Sequence, residues 1–128
     1  MAGVQPATAL TDLSLAIAAL IFASRARPRF WKIGFYLAAA AAACGAAFHG
    51  GAHTSVLWDL ILLQIGAATA FFVAAALSQP YSAWLGAGLA ITLAAVGVQQ
   101  SPLPFHNAGF HLMEIVALYC LFRGARRA

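Results

Sequence analysis

Charged residues are scarce in this sequence. Only 8% of its 128 residues are Asp, Glu, Lys or Arg, whereas soluble domains carry roughly 25%. Hydrophobic residues make up 63% of the chain, and its mean hydropathy is +0.86. These values exclude an ordinary soluble globular domain and favour a surface that contacts lipid.

The alternation that marks membrane β-strands is also missing. A membrane β-barrel needs apolar residues at every second position over segments of about 10 residues. Runs such as Leu37–Ala43 and Leu60–Ile65 do not alternate. Apolar stretches of about 20 residues match the thickness of the bilayer core when they are α-helical. The sequence therefore predicts an all-α integral membrane protein.

Cysteines and acidic residues are few, with two and three respectively. Cys44 and Cys120 fall in different apolar runs and offer no disulfide framework. The net charge of +4 comes from seven basic residues, all in two clusters beside apolar runs, 25–32 and 123–127. This placement indicates membrane topology rather than nucleic-acid binding. Because Met1–Gly3 lacks the positive n-region of a signal peptide, we expect the first apolar run to remain as a helix.

The apolar runs predict one transmembrane domain over residues 1–128, a five-helix bundle. The helices are expected at about 6–24, 30–49, 55–78, 81–98 and 107–123. An odd number of helices places both basic clusters on the same side of the membrane, whereas an even number would separate them. The positive-inside rule makes that side cytoplasmic. We therefore expect the N-terminus outside and the C-terminus in the cytoplasm.

Small residues recur at every fourth position on two of the predicted helices. Such patterns let a neighbouring helix approach closely, which favours tight packing, a homo-oligomer or assembly into a larger membrane complex. The positions are Gly66, Ala70 and Ala74 on the third helix and Gly86, Ala90 and Ala94 on the fourth.

The four histidines and three acidic residues collect in the half of the membrane opposite the basic clusters. Asp12 has two interpretations of about equal weight, a polar residue favoured near a helix start or a functional carboxylate facing the bundle interior. On the last helix, Asn107, His111 and Glu114 have the spacing i, i+4, i+7 and share a face.

A metal site is one chemistry that these residues favour. His49, Asp59 and His111 would converge if the second, third and fifth helices were adjacent. Three nitrogen and oxygen ligands with one open position are typical of catalytic zinc. In such a site, Asp59 or Glu114 would handle the proton during catalysis.

The residues Phe48-His49, Asp59 and the histidine-bearing start of the last helix resemble the CREST superfamily of membrane hydrolases, which includes alkaline ceramidases and the progestin and adipoQ receptors. Thr11-Asp12 and the strings His106-Asn107 and Phe110-His111 resemble a small bacterial branch of that superfamily, which implies a bacterial inner membrane. The positive-inside rule then predicts that the site lies on the periplasmic side. The resemblance implies a helical bundle with zinc held by three histidines, an aspartate that activates water or orients a ligand, and hydrolysis of an amide or ester in a lipid-like substrate.

Carried over by position, the resemblance makes His49, His106 and His111 the metal ligands and Asp59 the helix-three acid. The chain departs from the family in three respects. It has five predicted helices instead of seven, Gly45 replaces the helix-two serine, and the last two histidines are spaced by five residues instead of four.

Other functions stay open at this point. His49 and His111 could be the axial ligands of a haem or chlorin, although this leaves Asp59 and Glu114 without a role. The chain could also be an accessory subunit of a membrane complex or a structural homo-oligomer. A transporter is less favoured, because no inverted repeat or paired helix interruption is visible.

Overall fold

A computed structural model describes residues 4–125 of the chain, and these residues form five α-helices and no strand. The helices are α1 (Pro6–Arg25), α2 (Arg29–His49), α3 (Ser55–Leu77), α4 (Ala83–Gln99) and α5 (His106–Ala125). The predicted all-α, five-helix architecture is confirmed for this part of the chain. The expectation about Met1–Gly3, and the C-terminal Arg126 and Arg127, lie outside the described residues.

Local signals explain where the helices begin. The hydroxyl of Thr54 accepts a hydrogen bond from the Leu57 backbone N–H at 3.2 Å, which makes Thr54 the N-cap of α3. Ser82 caps α4 in the same way, so α4 begins two residues later than the sequence predicted. Helix α5 begins at His106, one residue before the expected start, directly after Phe105, which has a positive φ of 58°.

Four of the helices are long and apolar enough to cross a membrane: α1, α2, α3 and α5, with 20 to 23 residues each. Helix α4 is equally apolar but has 17 residues. Large apolar side chains on α3 point outward, including Val56, Leu63 and Leu77 with 70% or more of their surface exposed. Such a surface is suited to lipid rather than water.

Helix α1 lies at the centre of the packing, with extensive contacts to both α2 and α5. Helix α3 packs against α2, and α4 packs against α5, so the helices follow the order α3–α2–α1–α5–α4. Ala19 and Ala23 of α1 are fully buried. Their small side chains let the backbones of the neighbouring helices approach α1 closely.

The predicted small-residue patterns differ from the faces that pack within the chain. Gly66 and Ala70 of α3 are exposed, and a Cβ added at Gly66 would meet no atom within 4 Å. On α4, Gly88 packs closely against α5, where a Cβ would lie 2.8 Å from a side-chain carbon of Leu121. Ala90 and Ala94, by contrast, are exposed. The face of α4 that packs against α5 therefore contains Gly88 and differs from the predicted face with Ala90 and Ala94.

We define the basic end of the bundle as the end formed by the α1–α2 loop, the α3–α4 turn and the C-terminal turn of α5. Gln79 joins these segments. The Trp31 indole N–H donates to the Gln79 side-chain oxygen at 2.8 Å, and the Gln79 amide donates to the Gly124 carbonyl at 3.2 Å. One side chain thus connects the α3–α4 turn to α2 and α5.

Gln79→Leu is therefore expected to reduce the free energy of unfolding by about 1–3 kcal/mol, because it leaves the N–H of the buried Trp31 and the Gly124 carbonyl without that partner. Chemical or thermal unfolding in detergent would measure the loss. Gln100→Leu, at an exposed glutamine beyond α4, is the matched control and should change stability by less than about 0.5 kcal/mol. Equal effects of the two substitutions would contradict the structural role of Gln79.

Candidate functional site

The opposite end of the bundle, the histidine end, contains the start of α1, the end of α2 and the start of α5. Among the described residues, the buried polar side chains are Thr8, Asp12 and His111, with 4–7% of their surface exposed. Buried polar groups are expensive in an apolar bundle unless they are paired. All three lie at this end.

Asp12 lies between two histidines from different helices. The Nε2 atom of His111 is 3.1 Å from Asp12 Oδ1, and the Nε2 atom of His49 is 3.8 Å from Asp12 Oδ2. The centroids of the two imidazole rings are 6.3 Å apart. We call Asp12, His49 and His111 the Asp12 cluster. It joins α1, α2 and α5 through one carboxylate.

Gly45 provides the space for the Asp12 carboxyl. It lies one helical turn before His49, and a Cβ added there would be 2.7 Å from Asp12 Oδ2 and 2.9 Å from Oδ1. Any larger residue would therefore overlap the carboxyl group. At this position the structure places the carboxylate of a neighbouring helix.

One backbone hydrogen bond joins the residue before α1 to the end of α2. The Gln5 backbone N–H donates to the His49 carbonyl at 2.9 Å. The Asp12 side chain, about two turns further along α1, is thereby held opposite the last two turns of α2. This register brings the carboxyl to Gly45 and His49.

Thr11 contacts the second ring nitrogen of His111, Nδ1. Its hydroxyl oxygen is 3.0 Å from His111 Nδ1 and 3.0 Å from each of the Ala7 and Thr8 carbonyl oxygens. Both nitrogens of His111 thus have polar neighbours on α1. His49 differs, because its Nδ1 atom is buried and has no hydrogen-bond partner among residues 4–125.

Some polar atoms of the Asp12 cluster have no hydrogen-bond partner among the described residues. Asp12 Oδ2 is also buried and makes no hydrogen bond to the described residues. Polar atoms that are buried in this way usually bind water, an ion or a ligand. Asp12 Oδ2 is therefore available to bind a proton or a cation.

The aromatic residue Phe48 covers the same end. Its ring centroid lies 5.4 Å from His49, 5.0 Å from His53 and 5.2 Å from Trp58. His53 follows α2 in the loop and is half-buried. Phe48 therefore connects the end of α2 with the following loop and with α3.

The structure brings together two of the residues that the sequence singled out, His49 and His111. Asp59 is exposed on α3 and has no contact to the Asp12 cluster. His106 is half-buried, with its Nδ1 atom 3.1 Å from the Leu103 carbonyl oxygen. The Glu114 carboxyl lies beside Thr92 of α4, and one of its oxygens is buried without a hydrogen bond to the described residues.

His106 instead lines a surface cavity of about 330 Å³ near the cluster, together with the first residues of α1 and α5. Thr8 lines the same cavity. Within residues 4–125, no three His, Cys, Asp or Glu side chains are arranged as a complete metal site. In the Asp12 cluster, the Nε2 atom of His49 lies further from the carboxyl than the Nε2 atom of His111, at 3.8 Å against 3.1 Å.

Asp12 is the residue whose importance the sequence left undecided. The available signal was a lone carboxylate inside an otherwise apolar run, which is functional by default in a membrane helix. Its position near a helix start supported an ordinary role equally well. Burial between two histidines favours a carboxylate that faces the bundle interior over an ordinary polar residue near a helix start.

No known family model, curated protein or solved structure matches the chain. The fold and the site therefore define a class only: an α-helical bundle with membrane-spanning character and a buried carboxylate between two histidines.

Proposed function

We propose that this protein is an integral membrane protein that binds a divalent transition-metal ion, zinc in the first instance, in the Asp12 cluster. The observation that carries the proposal is that two imidazole Nε2 atoms from different helices face the two oxygens of one buried carboxylate. Atoms with lone pairs at these distances repel one another unless a proton or a cation lies between them.

The donor set suits zinc, which binds imidazole nitrogen and carboxylate oxygen at about 2.0–2.2 Å. Two such ligands on one tetrahedral ion are about 3.4 Å apart. The two nitrogen–oxygen separations of the cluster, 3.1 and 3.8 Å, lie on either side of that value. His49, the more distant histidine, would have to move closer for the three side chains to share one ion.

This ligand set differs from the one expected from the CREST resemblance. Asp12 takes the place of His106, and Asp59 has no contact to the cluster. Two histidines and one carboxylate form a recurrent ligand set of catalytic zinc sites. The proposed metal is therefore still zinc, but Asp12 is its third ligand instead of His106.

We further propose that the histidine end lies on the outer, periplasmic side of a bacterial inner membrane, with the N-terminus outside and the C-terminus in the cytoplasm. The basic residues of the α1–α2 loop and of the C-terminal segment 123–127 support this orientation through the positive-inside rule.

Hydrolysis of an amide or ester bond in a lipid-like substrate is the narrower proposal, and it rests on the CREST resemblance. Zinc, when bound, would polarise the carbonyl of such a substrate. Of the two acids expected to handle the proton, Asp59 is exposed and Glu114 lies beside Thr92. The catalytic role of these two residues remains a prediction.

A role as a homo-oligomer or as a subunit of a larger complex is a second candidate, favoured by the exposed Gly66 and Ala70 of α3. Haem is less favoured, because the Asp12 carboxyl lies between His49 and His111, where the iron of a bis-histidine haem would be.

Metal analysis of the detergent-purified protein tests the main proposal. We expect about one zinc ion per chain and a large loss of zinc in Asp12→Asn and His111→Ala. Asp59→Asn and His106→Ala are the controls and should retain zinc, because neither residue touches the cluster.

Wild-type protein that takes up no zinc would overturn the proposal. Loss of zinc in His106→Ala and Asp59→Asn, with retention in Asp12→Asn, would instead favour the ligand set expected from sequence. The two ligand sets thus predict opposite results for the same variants.

A further inference from the structure

Positive charge collects at the basic end of the bundle without an acidic partner among the described residues. Its basic side chains in this part of the chain are Arg25, Arg27, Arg29, Lys32 and Arg123. The ion pairs within residues 4–125 are those of Asp12 with its two histidines, at the opposite end. The acid nearest along the chain is Glu114, which lies about 14 Å before Arg123 on α5. The charge of the basic end must therefore be neutralised from outside the chain.

Arg29 and Arg123 differ in their surroundings. The Arg123 guanidinium lies 4.8 Å from the ring centroid of Trp84 and donates to the Tyr119 hydroxyl at 2.9 Å. The Arg29 side chain is exposed and makes no hydrogen bond, ion pair or ring contact to residues 4–125. A guanidinium can donate two parallel hydrogen bonds to the oxygens of one phosphate or carboxylate. Arg29 is thus available to bind an anion from outside the chain.

Arg29 lines a cavity of about 310 Å³ between the start of α2 and the end of α3. Phe30 and Trp31 of α2 lie on one side of this cavity, and Ser78 and Gln79 of the α3–α4 turn lie on the other. Small-molecule sites have volumes of about 300–1,000 Å³, so the cavity is large enough for a headgroup but not for a whole lipid. Of the described basic residues at this end, Arg29 is the one that lines it.

The start of α2 adds to the positive potential at this cavity. The Lys32 N–H is the first in α2 with a backbone acceptor, the Pro28 carbonyl at 3.0 Å. No side chain caps the N–H groups before it, and the first turn contains no acidic residue. A negative charge stabilises the N-terminus of a helix, whereas a positive charge there is repelled. An anion beside Arg29 would therefore offset the repulsion between its guanidinium and the helix dipole.

The outer surface beside the cavity is apolar. Phe30 is 44% exposed, and its ring centroid lies 5.8 Å from that of Phe71 on α3. Leu77, directly before Ser78, is 82% exposed. A ligand that places a charged group beside Arg29 and an apolar part on Phe30 and Leu77 is an amphiphile. An anionic phospholipid of the surrounding membrane has both parts.

We propose that this cavity binds the phosphate group of one anionic phospholipid, with Arg29 as its charged ligand. Basic pockets between membrane helices are known to bind anionic lipid headgroups. The bound lipid joins the start of α2 to the end of α3 at the basic end. This site does not depend on the zinc site proposed for the histidine end.

Lipid titration of the detergent-purified protein, followed by native mass spectrometry, tests the proposal. We expect one phosphatidylglycerol to bind at least about tenfold more tightly than phosphatidylcholine, whose choline group offsets the charge of its phosphate. Arg29→Gln should weaken phosphatidylglycerol binding by about thirtyfold or more, because it removes both the charge and the paired hydrogen bonds of the guanidinium.

Arg27→Gln is the matched control. It removes one positive charge from the same loop, but Arg27 is exposed and does not line the cavity. Its effect should not exceed about fivefold, the general contribution of one basic residue near an anionic lipid surface. The difference between the two variants separates binding in the cavity from the overall charge of the basic end.

Ser78→Glu tests the cavity from its other side and leaves Arg29 in place. A carboxylate at residue 78 would repel the lipid phosphate and compete for Arg29, so we expect the preference for phosphatidylglycerol over phosphatidylcholine to be lost. Ser24→Glu is the control, because Ser24 is an exposed serine at the end of α1 that does not line the cavity. Both hydroxyls donate to a backbone carbonyl of their own helix, so the two variants lose the same kind of contact.

A titration with inorganic phosphate distinguishes a lipid headgroup from a free anion. Free phosphate should not displace bound phosphatidylglycerol, because it lacks the apolar part that contacts Phe30 and Leu77. Displacement by phosphate at a concentration equal to that of the lipid would overturn the assignment to a lipid. Equal losses in Arg29→Gln and Arg27→Gln, or equal binding of the two lipids by the wild-type protein, would overturn the site itself.

Discussion

Gly45→Ala is expected to displace the Asp12 carboxyl and to destabilise the bundle by about 1–3 kcal/mol, the usual cost of overpacking a buried contact. The new methyl group would lie 2.7 Å from Asp12 Oδ2 and 2.9 Å from both Cγ and Oδ1. A shift of the carboxyl away from this methyl group would change its distances to His49 and His111. We therefore also expect zinc binding to fall by more than tenfold. Unfolding in detergent and zinc titration would measure the two effects.

Gly66→Ala is the control, since it makes the same substitution in an apolar helix long enough to cross a membrane, where a Cβ meets nothing within 4 Å. It should leave zinc binding unchanged and keep or slightly raise stability, because alanine favours a helix by up to about 1 kcal/mol over glycine. Full zinc binding in Gly45→Ala would show that the position of the Asp12 carboxyl does not require the absence of a Cβ at residue 45.

The fold was largely predictable because the sequence alternates long apolar runs with short polar or proline-containing segments. Each run has the length of a membrane helix, and the short segments end it. The predicted helix limits differ from the structure by no more than two residues. The Ser82 cap, for example, moved the start of α4 because the sequence alone does not show which hydroxyl will accept the backbone N–H.

The order of the helices was not predictable from the same patterns. Convergence of His49, Asp59 and His111 required α3 to lie beside α5, but the extensive contacts of α3 are with α2. Helix α1 contacts α2 and α5 instead. The acid that meets the histidines is therefore Asp12, and Asp59 remains exposed.

The small-residue patterns show the same limit. A four-residue period predicts that a helix has a face suited to close packing, but several periods coexist on a helix rich in alanine and glycine. Helix α4 uses Gly88 against α5, while Ala90 and Ala94 stay exposed. The choice depends on the large partner side chain, here Leu121, whose position follows from the whole bundle.

Phe35→Ala is expected to cause the largest loss of stability, about 3–5 kcal/mol, the range for removing a buried aromatic ring. Phe35 is fully buried, and its ring lies 5.1–6.3 Å from aromatic rings on α1, α2, α3 and α5, namely Phe22, Trp31, Phe72 and Phe122. Its removal would take away contacts that join four helices at once. Thermal or chemical unfolding in detergent would measure the loss.

Tyr36→Ala provides the control, because the neighbouring Tyr36 is 45% exposed and its loss should cost less than about 1 kcal/mol. Phe35 precedes His49 by about 21 Å along α2, so Phe35→Ala should retain zinc affinity under conditions in which it remains folded. Gly45→Ala should lose both stability and zinc. Loss of zinc in folded Phe35→Ala would show that the metal site depends on the packing of the whole bundle. Its dependence on the contact between Gly45 and the Asp12 carboxyl would then not be specific. The pair of variants thus separates the stability of the bundle from the chemistry of its histidine end.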